Sequence, residues 1–173
     1  ETAFEIRTGA ASLTSLLDQG MIDIALCEEQ IAGSHLWEYL ASDEMCAAIH
    51  EDNPLSKNEL IKLDDLIDQH IIYPSIITRN TITQALDLHG LCFSDQTQIF
   101  TEDGSATLSL VSRTHGISFV ASLYATECPL DVAMIPLDPP VIRRIGIAYS
   151  SSAVDSQAVR RFAACLHKHP FKA

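Results

Sequence analysis

Short apolar runs bounded by turn residues alternate along this chain with stretches whose apolar side chains recur at helical spacing, and that alternation leaves few folds open. Parallel strands cannot be joined by a tight turn; they need a crossover of about a dozen residues or more, usually a helix. The pattern therefore predicts an α/β protein with mostly parallel sheets covered by helices on both faces. A strand is expected at Phe4–Arg7, then a helix over about Ala10–Gln19 on Leu13, Leu16 and Leu17, stopped by Gly20. Met21–Leu26 has the length and flanks of a fully buried parallel strand. Leu36–Leu40 and Met45–Ile49 read as two strands joined by a turn at Ser42-Asp43-Glu44 and closed by Asn53-Pro54. Leu63, Leu66 and Ile67 predict a short helix, Ile71–Tyr73 a strand, and Ile82–Leu88 the apolar side of a helix that Gly90 ends. Gln98–Thr101 follows as a strand, and Ala106, Leu108, Leu110 and Val111 as a helix ending at His115-Gly116. Ile117–Ala121, Val132–Ile135 and Val141–Tyr149 are further strands, the last two set around Pro136, Pro139 and Pro140, and Val154–His167 is an amphipathic helix. The proline-bounded segments are the expected crossings between two lobes, residues 1–50 with 136–173 and residues 51–135.

Composition narrows the function. With 173 residues, 47% hydrophobic and 20% charged, the chain has ample material for a core. Its net charge of -12 repels phosphate backbones, so nucleic-acid contact by this chain alone is not expected. No apolar run approaches the roughly 18–20 residues of a membrane span, and Glu1–Arg7 has no signal-peptide pattern. Five cysteines, Cys27, Cys46, Cys92, Cys128 and Cys165, are odd in number and widely spread, as reduced buried thiols would be, which favours the cytoplasm. No nucleophile elbow, glycine-rich phosphate loop or other catalytic set occurs, so neither an enzyme nor a cofactor is expected. His167 and His169 stand two apart, off a common helix face and without a third ligand nearby, and read as solvent histidines; no metal is expected. Arg143-Arg144 and Arg160-Arg161 read as solvated faces.

In open α/β sheets ligands sit beyond the carboxyl ends of strands, where loops and helix N-termini present free N–H groups. Thr8-Gly9 begins a helix and is either an anion contact or a plain N-cap. Tyr73-Pro74-Ser75 with Thr78 leaves a strand for a helix and combines hydroxyls, a rigid turn and apolar Ile76, a mixture suited to a small organic acid; the alternative is an exposed turn capped by Thr78 or Asn80. Thr101 faces the expected cleft while Asp103 or Ser105 caps the next helix, with the acids of Glu102-Asp103 turned to water. Phe119 lies in a buried run and is either core or pocket wall, with core favoured by the pattern.

The order of these segments resembles the effector-binding domain of LysR-type transcriptional regulators, which share the two-lobed fold of type 2 periplasmic binding proteins. Leu16-Leu17-Asp18-Gln19-Gly20-Met21-Ile22-Asp23-Ile24-Ala25-Leu26 is similar to that family's L-x-x-G-x-h-D-h-A-h segment, and Asn53-Pro54-Leu55 to its h-P-L turn. Leu63-Asp64-Asp65-Leu66 resembles the following helix, and Tyr73-Pro74-Ser75 the loop that lines the pocket in members sensing aromatic acids. Leu110-Val111 through His115-Gly116-Ile117-Ser118-Phe119-Val120 resembles L-V-x-x-G-x-G-I-x-h-h-P in part, with the first Gly replaced by Arg113 or Thr114 and Ser122 near the place of the Pro. The resemblance implies a domain that senses a small organic molecule, such as a carboxylate, between two lobes. The implied ligand residues are Thr8, Gly9, Pro74, Ser75, Ile76, Thr78, Thr101 and Phe119. It implies a homodimer or tetramer, no membrane contact, and DNA contact only through a winged helix-turn-helix outside this sequence. By comparison with that family the first strand and helix of the domain, roughly 30 residues, are expected to be absent. Cys92 has no partner at the spacing of redox-sensing members, so no peroxide switch is expected. An extracytoplasmic solute-binding protein of the same fold is the alternative, and an enzyme built on two such lobes the third reading.

Overall fold

The structure is a computed structural model that describes residues 5–6, 13–93, 99–101, 103–123 and 128–169. Along the chain the elements are α1 (Leu13–Asp18), β1 (Ile24–Glu28), α2 (Glu29–Ala32), β2 (Leu36–His50), β3 (Ile61–Lys62), β4 (Ile71–Tyr73), α3 (Ile76–Leu88), β5 (Ile99–Phe100), α4 (Gly104–Thr114), β6 (Ile117–Ala121), β7 (Val132–Asp138), β8 (Ile142–Tyr149) and α5 (Gln157–Lys168). Two 3-10 turns, Pro54–Lys57 and Leu63–Leu66, flank β3, and Asn53 caps the first by accepting the Leu55 N–H. The chain forms two compact units, Glu1–Ser42 with Arg144–Ala173, and Asp43–Arg143. Their boundaries fall inside β2 and near the start of β8, away from the prolines expected to mark the crossings at 50/51 and 135/136.

In the first unit β1 runs antiparallel to β8, with Ile24 opposite Tyr149 and Glu28 opposite Ile145. The expectation of a buried parallel strand here is corrected. Ala25 and Cys27 are buried while Leu26 is 44% exposed, which is the alternation of a one-sided strand. Side-chain alternation along β8 then sorts the helices. Ala148 packs with Leu17 of α1 and Ala32 of α2, whereas Ile147 and Tyr149 pack with Val159 and Ala163 of α5. Gly146 has no side chain because the Trp37 indole and the Glu38 carbonyl occupy the place of its Cβ. The strand expected at Phe4–Arg7 is not seen at its two described residues, and Ile6 is 88% exposed.

The second unit centres on the far half of β2, which pairs antiparallel with β6 on one side and β7 on the other. β4 runs parallel to both β6 and β5, and β3 parallel to β7. Ladders are therefore mixed where mostly parallel ones were expected. Ile71, Tyr73, Ile117 and Phe119 face Ile82 and Leu86 of α3, and the intervening Ile72 and Val120 face Leu108 and Val111 of α4. Helices thus cover both faces of this sheet, and each fully buried Leu or Ile contributes about 1.5–3 kcal/mol. Gly90, at φ +69°, takes the left-handed conformation that ends the α3 segment.

The two short strands expected across Ser42-Asp43-Glu44 are one 15-residue strand. An acid survives in the sheet because it is paired. The Asp43 side chain, 1% exposed, accepts hydrogen bonds from Arg143 Nη2 (2.8 Å), Arg143 Nε (3.2 Å) and Ser122 Oγ (2.6 Å). β7 likewise runs through Pro136, which stands opposite Cys46 of β2 and just before Leu137 and Asp138, the two residues that pair with β3.

Candidate functional site

β4 and β5 are parallel, with Tyr73 opposite Phe100, so their carboxyl ends open at the same edge of the second unit. α3 and α4 begin there. Ser75, in extended backbone, caps α3: its Oγ accepts the Thr78 N–H at 3.1 Å and shares a 3.1 Å hydrogen bond with Thr78 Oγ1. The Ile76 and Ile77 N–H groups of the first turn have no intrahelical acceptor, as at any helix start. Pro74, Ser75 and Thr78 are half-buried and Ile76 is 55% exposed, so a hydroxyl pair, a rigid turn and an apolar side chain stand together at the surface. These four of the expected residues are brought together.

Thr101 lies next to them, its N–H bonded to the Tyr73 carbonyl at 3.1 Å. Its hydroxyl is engaged within the chain: Oγ1 donates to the Asp103 carbonyl (3.0 Å) and lies 2.5 Å from Thr107 Oγ1. Asp103 caps α4 by accepting the Ala106 N–H at 2.8 Å, so Asp103 and not Ser105 has that role. Phe119 is core, as the strand pattern favoured, and not the pocket wall that the resemblance implied. It is fully buried, with Tyr73 and Phe93 rings at 6.2 Å, and presents no surface to a ligand. Thr8 and Gly9, and with them Glu102, lie outside the described residues.

Tyr73 is the residue the sequence reading underused. Its ring stacks on Phe100 at 5.6 Å, and its hydroxyl is buried without a hydrogen-bond partner among the described residues. Burial pushes the phenol up to about 12, against the opposing charge of Arg79. The signal available in the sequence was a polar tip at the end of an apolar strand, directly before Pro74-Ser75. The Asp43, Arg143 and Ser122 cluster was also missed, since its members stand 79 and 100 residues apart.

Other expectations fall differently. His167 is no frayed solvent histidine: its Nε2 lies 2.7 Å from Glu38 Oε1, while Tyr149 donates to Glu38 Oε2 at 2.6 Å. The Tyr149 bond, with His167 assisting and burial opposing, holds the Glu38 carboxyl below its usual range. Tyr149 itself is pushed up by burial and by the Glu38 bond and charge. These groups line an open groove of about 340 Å³ in the first unit. Arg144 bonds Glu29 and lies over the Trp37 ring (5.3 Å), and Arg160 bonds Asp155 (2.6 Å); both arginines are more than half exposed, as solvated faces are. All five cysteines are free; Cys27 and Cys46 are buried and Cys128 half-buried, but Cys92 and Cys165 are exposed. Burial raises the Cys27 thiol to about 11.

A two-unit α/β chain with a polar helix start beyond parallel strands has the form of a ligand-binding domain. The chain belongs to the LysR substrate binding domain family, which it matches over residues 1–170. Among solved structures it resembles full-length BenM (22% identity, TM-score 0.77, covering 94% of this chain and 55% of that one). It resembles the BenM effector binding domain with its effector benzoate (23%, TM-score 0.71, 96% and 79%). A third likeness is to the regulatory domain of Synechocystis PCC6803 CcmR in complex with 2-PG (15%, TM-score 0.78, 94% and 80%). Likeness at these identities is a likeness of fold, and the chain spans about half the length of the full-length regulator. No curated protein sequence matches the chain. The family and fold are those of the effector-binding domains of transcriptional regulators. Among the described residues no helix is long and apolar enough to cross a membrane.

Proposed function

We propose that this chain is the effector-sensing part of a LysR-type transcriptional regulator and that it binds a small organic carboxylate at the start of α3. The observation that carries the reading is the polar edge made by Ser75 and Thr78 at the start of α3, where the first-turn N–H groups have no intrahelical acceptor, at the carboxyl end of a parallel strand. A carboxylate there accepts from the one hydroxyl proton that the Ser75–Thr78 bond leaves over and from backbone N–H groups, and the positive end of the α3 dipole favours its charge. Exposed Ile76 supplies an apolar contact for the rest of the molecule. Benzoate in BenM is an acid of this size and charge. Pro74 and Thr101 complete the proposed contacts on this unit. Occupancy shifts the population of two arrangements of the domain, and homodimer or tetramer contacts pass that shift to DNA-binding heads in the cytoplasm. No chemical step is assigned to the chain.

The test is a thermal-shift and calorimetric screen of benzoate and other aromatic and short-chain acids. At a concentration of 100 Kd, binding stabilises by about 2.7 kcal/mol. Ser75→Ala removes a helix cap and costs about 1 kcal/mol by itself, so the quantity to compare is the ligand-induced shift in each variant. The proposal requires that shift to shrink in Ser75→Ala and Thr78→Ala; an undiminished shift in both, or no acid that binds, defeats it.

A further inference from the structure

His50, Asp52 and His115 each bring one ligand atom, a ring nitrogen or a carboxylate oxygen, to within 4.8 Å of the others. No sequence motif announces them. His50 closes β2, Asp52 follows in the turn, and His115 ends α4. The antiparallel register that sets Ile49 opposite Ile117 carries the end of β2 to the start of β6, and therefore to His115. His115 is the one described non-glycine residue in the left-handed region, at φ 57°, and its ring centroid lies 4.0 Å from that of His50.

The buried His50 ring is hydrogen-bonded at one nitrogen and faces a carboxylate with the other. Its Nδ1 accepts the Asp52 N–H at 3.1 Å, which leaves the ring proton on Nε2, facing Asp131 Oδ2 at 3.5 Å. Asp131 is in turn held by Ser112 Oγ at 2.6 Å, and its carbonyl accepts the Glu51 N–H at 2.8 Å. Metal-binding histidines are oriented in this way, with a carboxylate on the nitrogen that does not bind. The Asp52 carboxylate lies 3.7 Å from Nδ1, so a cation that takes the Nδ1 lone pair from the amide meets a second ligand at once. Imidazole ligands select zinc-class cations over calcium or magnesium, which prefer oxygen shells.

The geometry points to a zinc-class cation site on His50, Asp52 and His115, with Asp131 as the orienting carboxylate. Three protein ligands leave a fourth tetrahedral position for water or another ligand. The site lies at the opposite end of the sheet from Ser75: Ile71, paired with Ile117, begins β4, whereas Tyr73 ends it. A bound ion would link the end of β2 to the end of α4, independently of any effector.

The experiment titrates the purified chain with Zn(II) by calorimetry and thermal shift, and with Co(II) by absorption spectroscopy. Expected are one Zn(II) bound with a rise in Tm, and Co(II) d–d bands of a tetrahedral nitrogen and oxygen site without sulfur charge-transfer bands. Asp131→Asn should weaken binding about 10–100-fold. His115→Ala, at an exposed side chain whose loss spares the core, should weaken it more; His50→Gln should do the same. No Zn(II)-dependent stabilisation, unchanged affinity in His115→Ala, or Co(II) bands from the exposed thiolates of Cys92 and Cys165 would overturn the assignment.

Discussion

Replacing Asp43 by Ala tests the most concentrated polar interaction in the molecule. The wild-type carboxylate is almost fully buried and accepts three hydrogen bonds, two from the Arg143 guanidinium and one from Ser122. Removing one partner of a buried ion pair costs about 3–5 kcal/mol, because the other charge stays desolvated. Arg143 is 21% exposed and has a further interaction of its own, so water and that interaction recover part of the loss. The expected destabilisation is about 3 kcal/mol, toward the lower end of that range. For a chain of this size that corresponds to a fall in Tm of about 6–12 °C. Urea unfolding of wild type, Asp43→Ala, Arg143→Ala and the double variant closes a thermodynamic cycle, in which contacting residues should couple by about 1–3 kcal/mol. Asp43→Asn, which keeps the shape and an acceptor for Ser122, should fall between wild type and Asp43→Ala. An Asp43→Ala loss within about 0.5 kcal/mol, the range of ordinary surface substitutions, or additive single variants would refute the claim that this pair allows β2 to run unbroken through Ser42-Asp43-Glu44.

Gly146→Ala places a Cβ under 3.0 Å from the Glu38 carbonyl oxygen and the Trp37 indole, and a backbone carbonyl cannot swing aside, so a loss of about 3 kcal/mol is expected. Gly90→Ala meets nothing within 4 Å and pays only for its left-handed backbone, about 1 kcal/mol; denaturation midpoints in the reverse order would contradict the packing described here. The lowered Glu38 carboxyl contributes stability that is present above its ordinary 4.5 and lost as pH falls through the folded-state value. Tyr149, raised above its ordinary 10.0, contributes stability that is lost as pH rises through its folded-state value. Tyr149→Phe should therefore flatten both the acid and the alkaline limb of a stability-against-pH curve, and an unchanged curve would refute the coupling.

The α/β class, the strands at Ile71–Tyr73 and Ile117–Ala121, the ends of α3 and α4 and the Asp103 cap were legible in the sequence, whereas α3 is capped by Ser75 and not by Thr78 or Asn80. Each legible feature depends on neighbours within a few positions: an apolar run between turn residues, an Asp cap, a Gly or His end. The Pro74-Ser75 turn with Thr78 was legible for the same reason. Pairing direction was not, because an apolar run has the same composition whether its partner runs parallel or antiparallel; β1 lies antiparallel to β8 through contacts more than a hundred residues apart. Phe119 illustrates the limit at a single side chain, since its buried run favoured core and the packing against Tyr73 and Phe93 decided it. Asp43 with Arg143, Glu38 with Tyr149 and His167, and His50 with His115 are likewise products of tertiary structure. Local sequence determined which elements form, because backbone preference and amphipathic spacing act over a few residues. Which charged and ring side chains meet was decided by the fold alone, which places distant segments within hydrogen-bond reach and removes the water that would otherwise screen them.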